Sequence, residues 1–158
     1  MDAHLRRATP SDAAGVAAVY VASWNDGFGD LMPPQVCDAR QVARWERDLD
    51  EDRVQWWVAL AADTVVGLCG TRPSRDPVEP GLGELDTIAV APSAWRQGVG
   101  RRLMSAAVDD LVAAGYREAI LWTLADYGQG AAFYRATGWR DAAEVRDSGR
   151  QIAFRRSL

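Results

Sequence analysis

The sequence predicts an α/β fold in one domain that spans residues 1–158. Its length of 158 residues is typical of a single folded domain. It is 48% hydrophobic and 25% charged, a composition typical of globular proteins. Runs rich in β-branched residues alternate with segments whose apolar residues recur at helical spacing, which indicates a sheet covered by helices.

The first half of the chain predicts a strand, two helices and a hairpin. Ser11 or Asp12 is a suitable N-cap for the first helix, and a segment rich in Gly, Asp and Pro separates that helix from the second. Residues 61–63 give hairpin spacing between two β-rich runs. The predicted elements are a strand at 4–8, a helix at 13–24, a loop at 25–34, a helix at 35–48, and strands at 54–60 and 64–71.

The second half predicts a strand that leads directly into a long helix. A loop with three prolines at 72–83 comes before this strand, and Pro92 follows it. Gly115 and Gly138 are suitable residues to end helices. The predicted elements are a strand at 84–91, a helix from 99 to 115, a strand at 119–124, a helix at 130–137, and a closing hairpin of strands at 139–146 and 150–156.

Charge and the rare residues exclude several functional classes. The formal charge is −4, and all 18 basic residues are arginines without a dense block, so a nucleic-acid partner is not expected. Cys37 and Cys69 form no CxxC pair, and His4 is the only histidine, which argues against a disulfide framework, a metal site and a catalytic triad. No segment resembles a membrane span or a signal peptide. The sequence therefore predicts a cytoplasmic protein without a metal.

The segment WRQGVGRRL at 95–103 lies between a predicted strand and a predicted helix. Free backbone N–H groups and the positive end of a helix make such a junction a site for anions, and glycines let a phosphate approach closely. No GK[ST] follows as in a P-loop, and Leu103 stands where a dinucleotide-binding loop has its third glycine. A GxG alone is also compatible with a simple tight turn.

Two longer segments strengthen the functional interpretation. The chain has ELDTIAVAPSAWRQGVGRRLM at 84–104 and AILWTLADYGQGAAFYRATGWR at 119–140. Together they resemble the GNAT superfamily of acyl-CoA-dependent N-acyltransferases, whose pattern is a strand, Q/R-x-x-G-x-G/A and a helix, followed by a second strand and a helix with Phe-Tyr and Gly-aromatic pairs. The resemblance implies a mixed, mostly antiparallel sheet of about seven strands with helices on both faces, split between the two motif strands to admit CoA.

The resemblance also implies how acetyl-CoA would be held as the co-substrate. The pantetheine arm would pair with the backbone of Ile88, Ala89 and Val90. Tyr127 stands where the family usually has Asn, and Gly130 where it has Ala, which puts that side-chain contact to the arm in doubt. Trp95 replaces a usual Gln or Arg. The residues implied around the pyrophosphate are Arg96, Gln97, Gly98, Val99, Gly100 and Arg101.

The implied reaction is acetyl transfer to a primary amine by direct attack. A carboxylate at the start of the first motif strand would act as the base, either Glu84 or Asp86, with Glu84 preferred because it lies nearer the acceptor end of the strand. Each is equally compatible with an ordinary hydrogen-bonded strand residue. Tyr134 would donate a proton to the departing thiolate, although it is also compatible with a half-buried aromatic residue.

The acceptor is predicted to bind between aromatic walls. Trp24 and Phe28 would form such walls, and Asp26 or Asp30 would hold a cationic amine. Both a small-molecule amine and a peptide are compatible with this arrangement, and so is a homodimer. Two alternatives stay open: a CoA-binding sensor or interaction module without catalysis, and an acyltransferase that acts on a protein N-terminus or a lysine.

Overall fold

Seven strands form the centre of the protein in a computed structural model that describes residues 1–158. The strands are β1 (Ala3–Arg7), β2 (Gln55–Ala61), β3 (Thr64–Pro73), β4 (Leu82–Val90), β5 (Glu118–Leu124), β6 (Arg140–Arg146) and β7 (Gln151–Ser157). They form one sheet in the order β1-β2-β3-β4-β5-β7-β6. Only β4 and β5 run parallel. The predicted mixed, mostly antiparallel sheet is confirmed.

Helices cover both faces of this sheet, as the sequence predicts. They are α1 (Ala13–Phe28), α2 (Ala39–Asp50), α3 (Val99–Ala113) and α4 (Gly128–Ala136). On one face, Val16 of α1 and Trp45 of α2 pack against Leu68 of β3. On the other, Leu103 of α3 belongs to a core cluster with Phe154 of β7. Burial of these large apolar side chains on both faces stabilises the sheet, by roughly 1.5 to 3 kcal/mol for each one.

The boundaries of the first two helices differ from the prediction. Helix α1 continues to Phe28 through residues predicted as a loop. The Asn25 side chain there accepts from the Gln35 N–H at 2.8 Å and donates to the Gln35 carbonyl at 3.0 Å. Because this pairing keeps Gln35 out of a helix, α2 starts only after Asp38, whose carboxylate accepts from the Gln41 N–H at 3.0 Å.

Asp12 also differs from its expected role as a helix cap. It occupies the N-cap position of α1, but its side chain makes no cap hydrogen bond. The Asp12 carboxylate instead accepts from Arg6 at 2.8 and 2.9 Å and from the Thr9 N–H at 2.8 Å. Asp12 thus ties β1 to the start of α1.

Strands β4 and β5 separate along their length, and this separation creates the site. They pair only from Leu82 to Glu84 on β4. Immediately afterwards, Leu85 pairs with Thr71 of β3 and Thr87 pairs with Gly70, so Asp86 between them has no partner on β3. This unpaired residue is a β-bulge, which bends a strand and turns its side chains. Beyond the bulge, β4 has β3 on one side and no neighbouring strand on the other.

Candidate functional site

Two adjoining cavities fill the gap between β4 and β5. One cavity, of about 370 Å³, lies at the start of α3, and we call it the groove. The other, of about 260 Å³, is lined by α1, β4, β5 and the β6–β7 hairpin, and we call it the aromatic cavity. The residues that line both are Ser23, Ile88, Ala89, Tyr127 and Tyr134. A molecule bound in the groove can therefore reach one bound in the aromatic cavity.

The loop before α3 presents unpaired backbone donors. The N–H groups of Arg96, Gln97 and Gly98 have no backbone acceptor. The first N–H groups of α3, which begins at Val99, lack partners within the helix, as at every helix start. Arg96 and Gly98 have positive φ angles of 60° and 85°, and Gln97 between them does not. This alternation turns successive N–H groups towards one point and makes a nest for anions.

The six residues predicted around the pyrophosphate divide into two groups in the structure. The groove is lined by Arg96, Gly98, Gly100 and Arg101. The side chain of Gln97 instead donates to the Ser93 carbonyl at 2.9 Å, and the side chain of Val99 is buried in the core. Gln97 and Val99 therefore have only their backbone groups to offer to a ligand.

The open edge of β4 supplies further backbone groups. The Ala91 N–H donates to Val66 of β3 at 2.8 Å, so by strand alternation the Ala89 groups also face β3. The backbone groups of Ile88 and Val90 then face the groove. The Val90 carbonyl is already paired, because it accepts a hydrogen bond from the Trp95 indole Nε1–H at 2.7 Å. Trp95 thus braces the strand end, and the Ile88 groups are left free to pair with an extended ligand.

Tyr127 separates the groove from the aromatic cavity, and two glycines make room for its ring. A Cβ on Gly130 would lie 2.5 Å from Tyr127 Cδ1, and a Cβ on Gly27 would lie 2.9 Å from Tyr127 Oη. The ring also packs edge-on against Phe28, with centroids 5.0 Å apart. The two departures from the family pattern, Tyr127 and Gly130, are therefore one feature, since the larger side chain requires the smaller neighbour.

This contact predicts strong coupling between positions 127 and 130. Gly130→Ala should destabilise the protein by about 1 to 3 kcal/mol, because the new methyl group overlaps the Tyr127 ring. Tyr127→Asn removes the ring, so Gly130→Ala added to that variant should cost little. Urea unfolding of the two single variants and the double variant measures the coupling. Additive effects would mean that the two positions are independent.

Six of the 17 residues that line the second cavity are aromatic. Tyr20, Trp24 and Phe28 line it from successive turns of α1, and Trp24 packs edge-on against Phe28 at 4.7 Å between centroids. Trp122 of β5 lines the opposite side. Of the predicted acceptor residues, Trp24 and Phe28 line the cavity, whereas Asp26 and Asp30 are exposed and do not.

Several lining residues were missed by the sequence analysis. They include Tyr20, Ser23, Met32, Trp122, Arg146 and Gln151. The spacing of Tyr20, Trp24 and Phe28 places all three on one helix face, so this pattern was available as a signal for Tyr20. Arg146 and Gln151 are paired across the β6–β7 hairpin, and no local pattern indicates that this hairpin reaches the cavity.

The two carboxylates predicted as candidate bases share one arginine but differ in access. Arg75 Nη2 donates to Glu84 Oε2 at 2.7 Å and to Asp86 Oδ1 at 2.6 Å. Glu84 is only 3% exposed, and it also accepts from the Arg75 backbone N–H at 3.2 Å. Asp86, the bulged residue, lines the aromatic cavity, whereas Glu84 does not. Of the two, only Asp86 borders the space that a second substrate can enter.

Tyr134 lies at the junction of the groove and the aromatic cavity and lines both. Its ring packs beside Phe133 and Phe154, with centroids 5.7 and 5.6 Å away. Burial raises the pKa of the Tyr134 phenol above its usual value, and the nearby Tyr127 adds to this. The phenol therefore keeps its proton throughout the neutral range.

The sequence matches the model of the acetyltransferase (GNAT) family over residues 16–139. The chain belongs to this family. It is 27% identical over 143 residues to an uncharacterized N-acetyltransferase, YuaI, of Bacillus subtilis (strain 168), which covers 89% of this chain and 82% of YuaI. It is also 34% identical over 101 residues to the mycothiol acetyltransferase of Clavibacter michiganensis subsp. michiganensis (strain NCPPB 382). That match covers 61% of this chain and 32% of the relative.

Solved structures show the same fold. The PaiA N-acetyltransferase of Thermoplasma acidophilum in complex with coenzyme A superposes with a TM-score of 0.78 at 17% identity, over 100% of both chains. A putative GNAT acetyltransferase of Desulfovibrio desulfuricans superposes with a TM-score of 0.79 at 24% identity, over 99% of both. The family match, rather than the shared fold, makes this GNAT chain an acyltransferase. None of its helices is long and apolar enough to cross a membrane.

Proposed function

We propose that this GNAT chain transfers an acetyl group from acetyl-CoA to a primary amine by direct attack of the amine on the thioester. The observation that carries the proposal is the position of Tyr134, which lines both the groove and the aromatic cavity. On one side of it lie the nest before α3 and the open edge of β4. On the other side lies Asp86.

The groove fits the chemistry of acetyl-CoA. The unpaired N–H groups of Arg96, Gln97 and Gly98, together with the start of α3, suit a pyrophosphate. The free backbone groups of Ile88 suit the amides of a pantetheine arm. The PaiA N-acetyltransferase, which shares this fold, is a complex with coenzyme A, and this supports the assignment. Acetyl-CoA would supply the activated acyl group as a thioester.

In this proposal, Asp86 attracts the amine as an ammonium ion and passes its proton on. At neutral pH the amine arrives as an ammonium ion, since its pKa is near 10.4, and the proton that it loses before the attack ends in bulk water. Asp86 therefore acts as a relay. Arg75 keeps this carboxylate in place through its 2.6 Å hydrogen bond to Oδ1.

Paired substitutions distinguish the two candidate bases. Asp86→Asn should lower kcat/KM for the amine about 10- to 100-fold, the usual worth of a hydrogen bond to a charged group. Glu84→Gln should lower stability by about 1 to 3 kcal/mol, because it weakens a buried contact with Arg75, and should leave turnover within a few-fold. Thiol release from acetyl-CoA and thermal unfolding provide the two readouts. A larger loss of turnover in Glu84→Gln would identify Glu84 as the base.

The proposal as a whole is tested by titration with acetyl-CoA followed by thiol release with a panel of amines, amino acids and peptides. Binding and turnover are the expected result. Binding without turnover on any acceptor would favour a CoA-binding module that lacks catalysis. Turnover only on peptides would favour an enzyme that acts on protein N-termini or lysines. Absence of binding would contradict the assignment of the groove.

A further inference from the structure

We propose that the acceptor is a free amino acid with an apolar or aromatic side chain, that is, an amine that also carries a carboxylate. This inference rests on the proposed function and adds the class of acceptor to it. It depends on the charges and the walls of the aromatic cavity.

Two side chains of opposite charge line this cavity. Asp86 projects from β4, and Arg146 projects from β6, which lies at the far edge of the sheet. They are the only acidic and the only basic residue among those that line it. An ammonium group suits Asp86, and a carboxylate suits Arg146. An amine with a second positive charge, such as a diamine, would instead bring that charge to Arg146.

The Arg146 guanidinium is held in place and still has free donors. Its Nε donates to Gln151 Oε1 at 2.6 Å, and its central carbon lies 4.4 Å from the centre of the Trp122 ring. Nη1 reaches only Asp76 Oδ2 at 3.5 Å, a long contact to a side chain that is 60% exposed. Nη2 donates to no protein acceptor. Since a guanidinium has five N–H donors, Arg146 can still bind a carboxylate.

The support beneath Arg146 is itself fixed. The Trp122 indole Nε1–H donates to the Asp76 carbonyl at 2.8 Å, which anchors the ring on which the guanidinium stacks. A planar guanidinium that stacks on an aromatic ring is oriented before a ligand arrives, so less conformational entropy is lost on binding. The contacts of Arg146 thus resemble those of a positioned binding group more than those of a solvated surface arginine.

The remaining walls suit an apolar side chain. Tyr20, Trp24 and Phe28 of α1 and Tyr127 provide aromatic surface in the same cavity as the two charged groups. The volume of about 260 Å³ is close to the lower end of small-molecule sites in proteins, which favours a compact ligand. A single amino acid brings its amine, its carboxylate and its side chain into one such space, whereas the N-terminal residue of a protein has an amide in place of the carboxylate.

Matched acceptors test this inference. We would compare phenylalanine with phenethylamine, and leucine with isoamylamine, as acceptors with acetyl-CoA. Each pair differs by the carboxylate. The intact enzyme should give a higher kcat/KM for the amino acid of each pair. Arg146→Gln should lower the ratio of amino acid to amine about 10- to 100-fold, because a charged hydrogen bond is lost. Arg140→Gln removes the same charge from the same strand, β6, at a side chain that pairs with Glu118 and does not line the cavity, and it should leave the ratio unchanged.

Each outcome of this comparison has a distinct meaning. If amines without a carboxylate are the better acceptors, or if Arg146→Gln leaves the ratio unchanged, the inference is wrong while the proposed acetyl transfer still stands. If none of the four acceptors releases thiol although acetyl-CoA binds, acetyl transfer to small amines fails and the inference fails with it. Titration of the CoA-bound enzyme with phenylalanine gives a second readout, in which Arg146→Gln should weaken binding at least tenfold.

Discussion

Gly100→Glu is expected to abolish CoA binding while the protein stays folded. Gly100 lines the groove in the first turn of α3. A Cβ there would lie 3.4 Å from the Phe133 ring and 3.7 Å from Val90 Cγ2, which is ordinary contact, so a side chain can be accommodated. The new carboxylate would compete with the pyrophosphate for the same N–H groups and repel it. Loss of several charge-assisted hydrogen bonds weakens binding by more than about 10³-fold.

Two control variants separate charge from size in this experiment. Gly100→Ala adds only the Cβ and should retain CoA affinity within a few-fold. Gly128→Glu adds the same charge at the start of α4. A Cβ at this position meets nothing within 4 Å, and Gly128 does not line the groove. This variant should change affinity little. Calorimetric titration with CoA gives the affinities, and circular dichroism verifies the fold. Full affinity in Gly100→Glu would mean that CoA does not bind against the start of α3.

The junction of β4 and α3 was predictable because its signals are local. The change from a β-branched run to helical spacing at Gly98 and Gly100 lies within one stretch of sequence, and the structure has a strand, a nest and a helix there. The end of α1 was not predictable in this way. Asn25 is helical because it pairs with Gln35, and Phe28 is packed against Tyr127, almost a hundred residues away. Such tertiary contacts override the local tendency of Gly and Asp to form loops.

The lining of the aromatic cavity also depends on contacts between distant segments. The expectation that Asp26 faces an acceptor rested on its place beside aromatic residues, but its position on α1 leaves it exposed. The preference for Glu84 over Asp86 rested on position along the strand, and it did not anticipate a bulge. That bulge comes from the pairing of β4 with β3. Arg146 reaches the cavity only because β6 and β7 are added beside β5.

Tyr134→Phe should lower kcat by roughly 10²- to 10⁴-fold, the usual contribution of a positioned general acid. The phenol lies where the groove meets the aromatic cavity, so it is placed to protonate the departing sulfur. Burial raises the pKa of Tyr134, which makes it a weaker acid in isolation. The same burial disfavours a thiolate beside it, because desolvation penalises every charged form. The pKa of the Tyr134 phenol and the pKa of the departing thiol therefore rise together, and proton transfer from the phenol to the sulfur remains feasible.

The size of kcat in Tyr134→Phe, rather than the pH profile, separates this role from a purely structural one. Because its pKa is raised, Tyr134 is protonated below and throughout the neutral range, and it loses its proton only at a pH above its usual pKa near 10. The rise of kcat/KM with pH should therefore follow deprotonation of the amine. Tyr134→Phe should show the same pH profile with a lower kcat/KM at every pH. CoA affinity should stay within a few-fold, since the ring and its contacts with Phe133 and Phe154 remain. An unchanged kcat would show that Tyr134 only packs, and that the sulfur leaves without its proton.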